Sequence, residues 1–164
     1  MEVKKGFSLI EMLVVLAVFS ILTVVMTQVL FVTVRGAKKS DATVRVRQNV
    51  ENSLSAIERQ LHNAVDVTSV CPNPDTSTLT IEDINGQNTI FSCVNIGSNG
   101  YLASNSARLT SPDIKLTACS INCIWAGIGT PKSVTFNVTA VDANATGSEN
   151  ATVSTSNRVF LRSY

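Results

Sequence analysis

With 164 residues and a formal net charge of +1, the chain has room for one modest domain beside any membrane segment. The single surplus charge stands in the first six residues, Lys4 and Lys5 against Glu2, so the remainder is neutral in its side chains. That balance excludes an overall electrostatic attraction to nucleic acid or to an acidic surface.

A short basic leader, Met1-Glu2-Val3-Lys4-Lys5-Gly6, precedes an apolar run from Phe7 to Val34 broken only by Glu11 and a few hydroxyl or amide residues. As a helix the run covers ~42 Å, against a hydrocarbon core of ~30 Å. A secretory signal peptide has an apolar region of only about 7–15 residues followed by a small-residue cleavage site. No good site of that kind follows the run, which therefore reads as an uncleaved anchor. Glu11 is the anomaly. A charged side chain inside a bilayer costs roughly 2.5–3.5 kcal/mol on insertion scales, so it marks either a function or a carboxylate that snorkels from the helix end.

The order Lys4-Lys5-Gly6-Phe7-Ser8-Leu9-Ile10-Glu11, set directly against the apolar run, resembles the type IV prepilin processing motif. The resemblance implies that a membrane aspartic peptidase cuts after Gly6, that Phe7 becomes the new N-terminus and is N-methylated, and that Glu11 is the family's membrane-embedded glutamate. Cutting creates an α-amino group with an ordinary pKa near ~8, about one helical turn from Glu11. The Glu11 of an incoming subunit would then meet the amine of a Phe7 already in a filament, which offsets burial of the charge only in the correct axial register. Desolvation opposes this gain. Many major pilins carry a kinking proline where this chain has Gln28, a departure that favours a minor pilin or a pseudopilin.

Arg35, Lys38, Lys39, Arg45 and Arg47 follow the run, against Lys4 and Lys5 before it. A bare count of flanking positive charge places the C-terminal part in the cytoplasm. The resemblance places it outside, because the peptidase works on the leader from the cytoplasmic side. The same basic group lacks interleaved aromatics for stacking on bases and reads as a membrane edge.

No proline occurs before Pro72, and Val50, Leu54, Ile57, Leu61 and Val65 stand at spacings of 4, 3, 4 and 4. This predicts an amphipathic continuation of the helix over 35–70, with Gly36 a weak point. His62, the single histidine, follows Glu58 by one turn and reads as a solvated helix-face residue. The chain shows no glycine-rich phosphate loop, no nucleophile elbow and no metal-ligand spacing, so no enzyme, cofactor or metal is expected.

Beyond Val70 the segments are short, polar and alternating. Asn85-Gly86 between two strand-like runs signals a hairpin, and Asn99-Gly100 marks another turn. "SVTFNVTAV" places Val134, Phe136, Val138 and Ala140 on one face, as a half-buried strand requires. Asp142 to Asn150 reads as a loop and "NRVFLRSY" as a closing strand. The expected fold is α+β: a long N-terminal helix packed on an antiparallel sheet head at 71–164. This is also the build of pilin heads, and the last third faintly resembles minor pseudopilins of type II secretion.

Cys71, Cys93, Cys119 and Cys123 make an even count, which in an extracytoplasmic head reads as two disulfides with three connectivities open. Cys71–Cys93, tying the helix end to the hairpin, and Cys119–Cys123, closing a tight loop, are the expected pairs. A four-cysteine zinc site is the rival. Asn137-Val-Thr139, Asn144-Ala-Thr146 and Asn150-Ala-Thr152 fit a glycosylation triplet that Asn/Thr-rich segments also generate by chance.

These readings converge on a structural subunit held in the inner membrane with its head outside, then extracted into a pilus or pseudopilus, most readily as a minor subunit. The partners that the resemblance implies are the prepilin peptidase, sibling pilins or pseudopilins, and an assembly platform with its ATPase. A major pilin, a competence pilin (the one case in which nucleic acid is a partner) and a membrane-tethered binding module that never polymerises stand as alternatives.

Overall fold

In the computed structural model, residues 6, 8–125, 127, 132–145, 147 and 150–161 are described, apart from the side chain of Pro74. α1 (Leu9–His62, 54 residues) comes first, and among the described residues no other α-helix follows it. The contacts divide the molecule into two units, residues 1–38 and residues 39–164.

In the first unit every described side chain is exposed. The helix there is long and apolar enough to cross a membrane, with a mean hydropathy of 2.7 over its most apolar window of 18 residues. Its hydroxyl residues do not break that character. Ser20 donates to the Ala17 carbonyl at 2.8 Å, Thr23 to Phe19 at 2.9 Å and Thr27 to Thr23 at 2.8 Å. Each hydroxyl is satisfied within the helix, which is what lipid demands of a polar group.

In the second unit α1 buries Ala42, Val46, Val50, Ser53, Leu54, Ile57 and Leu61, one stripe at steps of three and four. The helix stops at His62, earlier than the expected 70. Val65, which continues the helical spacing, lies in β1 (Ala64–Val67) and is 45% exposed, while Ala64 and Val67 are buried instead. The reason is pairing. Val67 stands opposite Ile81 of β3 (Thr78–Asp83), and an irregularity in the register between Ala64 and Asp66 leaves Val65 outside while Ala64 and Val67 are buried.

The remaining strands are β2 (Asn73–Thr76), β4 (Asn88–Val94), β5 (Tyr101–Ser104), β6 (Ala107–Arg108), β7 (Ile114–Ile124), β8 (Ser133–Asp142) and β9 (Thr152–Phe160). They form two antiparallel sheets where one was expected: β1-β3-β4-β5-β6 and β2-β7-β8-β9. The Asn85-Gly86 hairpin joins β3 to β4, with Gly86 at φ 74° and the Asp83 carboxylate accepting the Asn85 and Gln87 amides at 2.8 Å each. β8 alternates as its sequence requires, with Val134, Phe136, Val138 and Ala140 buried. β9 starts at Thr152, before the expected segment, and the last three residues of that segment lie outside the described residues.

Asn99-Gly100 is not a turn. The chain reverses at Asn95 (φ 52°) and Gly97 (φ 90°), and Gly100 instead bridges to Leu116 of β7, whose amide donates to the Gly100 carbonyl at 2.9 Å. A Cβ at position 100 would sit 2.3 Å from the Leu116 carbonyl oxygen. The glycine is there to let one sheet approach the other.

The core lies between the helix stripe and the two sheets, with Leu79, Phe91 and Leu102 from the first and Leu116, Ile121 and Phe136 from the second. Phe91 and Phe136 meet edge to face at 6.3 Å between centroids. Both disulfides tie into this body, but in neither expected pairing: Cys71 joins Cys123 and Cys93 joins Cys119, with Cα–Cα distances of 5.4 and 6.0 Å. Cys119 and Cys123 lie four residues apart on the single strand β7. At ~3.3 Å per residue that is ~13 Å, about twice what a disulfide spans. Each cysteine of β7 reaches a different element instead. Cys119 thereby links the two sheets through β4, and no described cysteine is free.

Candidate processing and assembly segment

The candidate site is the N-terminal stretch rather than a cleft. Gly6 is exposed, and a Cβ added there would meet nothing within 4 Å, so packing supplies no reason for a glycine. Lys4, Lys5 and Phe7 lie outside the described residues, and with them the new N-terminus that a cut after Gly6 would make.

Ser8 precedes the first helical residue, and its carbonyl accepts the amides of Glu11 at 3.0 Å and Met12 at 3.3 Å. Ser8 thus stands at the N-cap and Glu11 at the third helical position, the S-x-x-E spacing of a capping box. The sequence marks Glu11 as a charge in lipid and, by resemblance, as the filament glutamate. The helix start adds a local role, in which a carboxylate in the first turn gains roughly 0.3–1 kcal/mol from the unsatisfied amides and dipole there. Glu11 is exposed and has no salt-bridge partner among the described residues.

From Leu9 to Val34 the helix presents a continuous exposed apolar surface: Leu13, Leu16, Phe19, Leu22, Met26, Leu30 and Phe31 are each more than half exposed. An apolar surface of this length without a covering layer is a membrane-facing or partner-facing surface, far beyond the patches that soluble monomers carry.

Among its described residues the head holds no group of three or more His, Cys, Asp or Glu that could hold a metal. His62 pairs with Glu58 at 3.6 Å on the exposed helix face, where the sequence placed it. Asp142, buried at the end of β8, accepts the amides of Asn144 at 2.8 Å and Ala145 at 3.2 Å and is joined by Arg45 of α1 at 3.4 Å. Asp66 is the one described group with a resolved pKa displacement. The bond from the Lys132 ammonium holds its carboxyl below the usual 3.8, against partial desolvation and with help from the Val67 amide.

Residues 1–27 match the family model described as the prokaryotic N-terminal methylation motif. No curated protein and no solved structure matches the chain. The motif implies processing by a prepilin peptidase and assembly with other pilins, and the apolar helix beside it suggests anchoring in a membrane. With a glutamate in the first helical turn and an exposed apolar helix, the chain carries the type IV prepilin signature at its N-terminus.

Proposed function

We propose that this chain is a minor subunit of a type IV pilus or of a type II secretion pseudopilus. It is cut after Gly6, methylated at Phe7, held in the inner membrane with its head outside, and added to a filament through the first part of α1. The observation that carries the reading is the use of one helix for two purposes. A prepilin motif runs into an apolar stretch with every described side chain exposed, and the same helix then supplies the core stripe of a head. Glu11 docks each incoming subunit by pairing with the terminal amine of an assembled neighbour, a charge-assisted bond in a drier setting. Gln28, in place of a kinking proline, supports the minor or pseudopilin assignment. The assembly platform with its ATPase supplies the work of extraction.

Quantitative mass spectrometry of sheared filaments tests this, with the N-terminal peptide included. The expected result is a chain that starts at methylated Phe7, present in trace amounts beside a more abundant pilin. Dominance of this chain would make it a major pilin. Processed chain confined to the membrane fraction would favour a short pseudopilus or a tethered module, and an unprocessed N-terminus would overturn the proposal.

A further inference from the structure

The head has a cavity of about 270 Å³ lined by Asn99, Arg108, Pro112, Ile114, Lys115 and Ala143. Two cations line it, and among the described residues no carboxylate does. Three features of the fold put those cations there. The Gly100–Leu116 bridge sets Asn99 beside the start of β7, where Lys115 follows Ile114. Arg108, on the edge strand β6, folds over the 109–114 loop. Its Nε donates to the Thr110 carbonyl at 2.8 Å, and its Nη2 donates to those of Ser111 at 3.0 Å and Ile114 at 3.2 Å. The Tyr101 ring then holds the guanidinium from another side, 4.8 Å from its centroid.

Arg108 is therefore fixed without being neutralised. It spends its bonds on backbone carbonyls, and the two N–H groups of Nη1 have no acceptor among the described residues. Lys115 has no salt bridge among them either. The nearby acids are engaged elsewhere. Asp113 accepts from Ser111 at 3.4 Å and from Asn144 at 3.2 Å, Asp142 is tied to Arg45, and both line the adjoining cavity beside Asn49. Asn49 of α1 and Ser53 in turn brace the loop, accepting the Ser111 amide at 3.0 Å and donating to the Leu109 carbonyl at 3.1 Å. A preorganised cation that makes no ion pair is the arrangement that recognises an oxyanion at low ordering cost.

We infer that this cavity binds an anionic sugar unit, with Arg108 and Lys115 on a carboxylate or phosphate group, Asn99 on a hydroxyl and the Pro112–Ile114 side against the ring. Its volume lies just under the roughly 300–1,000 Å³ of sites for drug-sized ligands, which suits one monosaccharide. The charged group has two sources, a uronate or a sugar phosphate. The inference concerns the head alone and stands whether or not the chain polymerises.

The test is a titration of the isotope-labelled full chain in detergent micelles, following the backbone amides of Asn99, Arg108 and Lys115. The probes are glucuronate, glucose 1-phosphate, glucose and inorganic phosphate. Shifts with either charged sugar support the inference, and the stronger of the two identifies the source. Lys115→Gln, which removes no described protein–protein bond, should weaken binding about fivefold and flatten its salt dependence. Arg108→Gln should abolish binding, but it also releases the loop, so Lys115→Gln is the deciding variant. Glucose binding as well as glucuronate, inorganic phosphate binding as well as the charged sugars, an unchanged affinity in Lys115→Gln, or no shift at these amides would each overturn it.

Discussion

The two stretches of α1 share a backbone and differ in nearly everything their side chains do. Residues 8–38 expose every described apolar side chain, whereas over 42–61 the apolar residues narrow to a buried stripe with polar residues between them. A stripe one face wide is made for a partner already present in the same chain, and an apolar surface all round is made for lipid or for other helices. The comparison teaches that helix propensity sets the element while the angular width of its apolar surface sets its environment. It also divides the expected effects of mutation: changes in 42–61 should act on stability, and changes in 8–38 on membrane residence and assembly.

The largest effect on that division should come from the disulfides, which belong to the second unit alone. Replacing Cys71 and Cys123 by Ser opens a crosslink between residues 52 apart in sequence, worth about 4 kcal/mol on chain-entropy grounds, and Cys93 with Cys119 spans 26, worth about 3.5 kcal/mol. Thermal unfolding in detergent should show the head melting well below wild type, while the helical signal contributed by 8–38 persists. Loss of both signals together would break the comparison, because the two stretches would then be one cooperative unit.

A cleaner contrast uses one substitution at two places in the same helix. Leu54→Ala removes a buried side chain and should cost roughly 2–5 kcal/mol of head stability. Leu22→Ala, at a position 52% exposed, should leave the head's unfolding midpoint within the ±0.5 kcal/mol of an ordinary surface change. Equal effects would mean that the apolar stretch is packed against the head.

Much of this was legible in the residues, and the failures have physical causes. The apolar helix, the helical stripe through Leu61, the Asn85-Gly86 hairpin and the alternation of β8 are local patterns, and local patterns survive folding. The end of the helix was misjudged because Ala64 to Val67 fits both periods, and only its pairing with β3 decides between them. Gly100 was read as a turn because a close approach to Leu116 leaves no mark in its own neighbourhood. The disulfide pairing failed in the same way. That Cys119 and Cys123 share one extended strand is a tertiary fact, and their short spacing pointed the wrong way. In the candidate site, Glu11 stood out by its cost in lipid. Its place three residues after Ser8 is equally local, but it gains meaning only because Ser8 stands at the helix start.

Glu11 sharpens the comparison from the assembly side. Glu11→Ala should reduce incorporation into filaments by about tenfold or more, the equivalent of ~1.4 kcal/mol, and leave the head's unfolding unchanged. Glu11→Gln keeps the shape of the side chain but removes its charge, and with it both the pairing to a neighbour's amine and the gain from the helix dipole. If Glu11→Gln assembles as well as wild type by quantitative mass spectrometry, charge does not explain the residue.

The smallest expected effect lies in the head, at the Asp66–Lys132 pair. Because its bond to Lys132 holds the folded-state pKa of Asp66 below 3.8, the pair's contribution is fully present above that value and is lost as pH falls through the folded-state pKa. The Asp66 side chain is 53% exposed, so solvent screening limits the contribution to the roughly 0.2–1 kcal/mol of surface ion pairs. Lys132 also lies over the Trp125 ring, 5.5 Å from its centroid, so Lys132→Met removes a cation–π contact along with the pair. Two parts of the loss can therefore be told apart by pH. The cation–π part does not involve the Asp66 carboxylate and lowers the unfolding midpoint equally across this acid range. The Asp66 part shrinks to nothing below the folded-state pKa. The wild-type and Lys132→Met unfolding curves should therefore converge as the solution is acidified from neutrality, without meeting. A constant gap would assign the whole effect of Lys132 to Trp125, and curves that meet would assign it to Asp66.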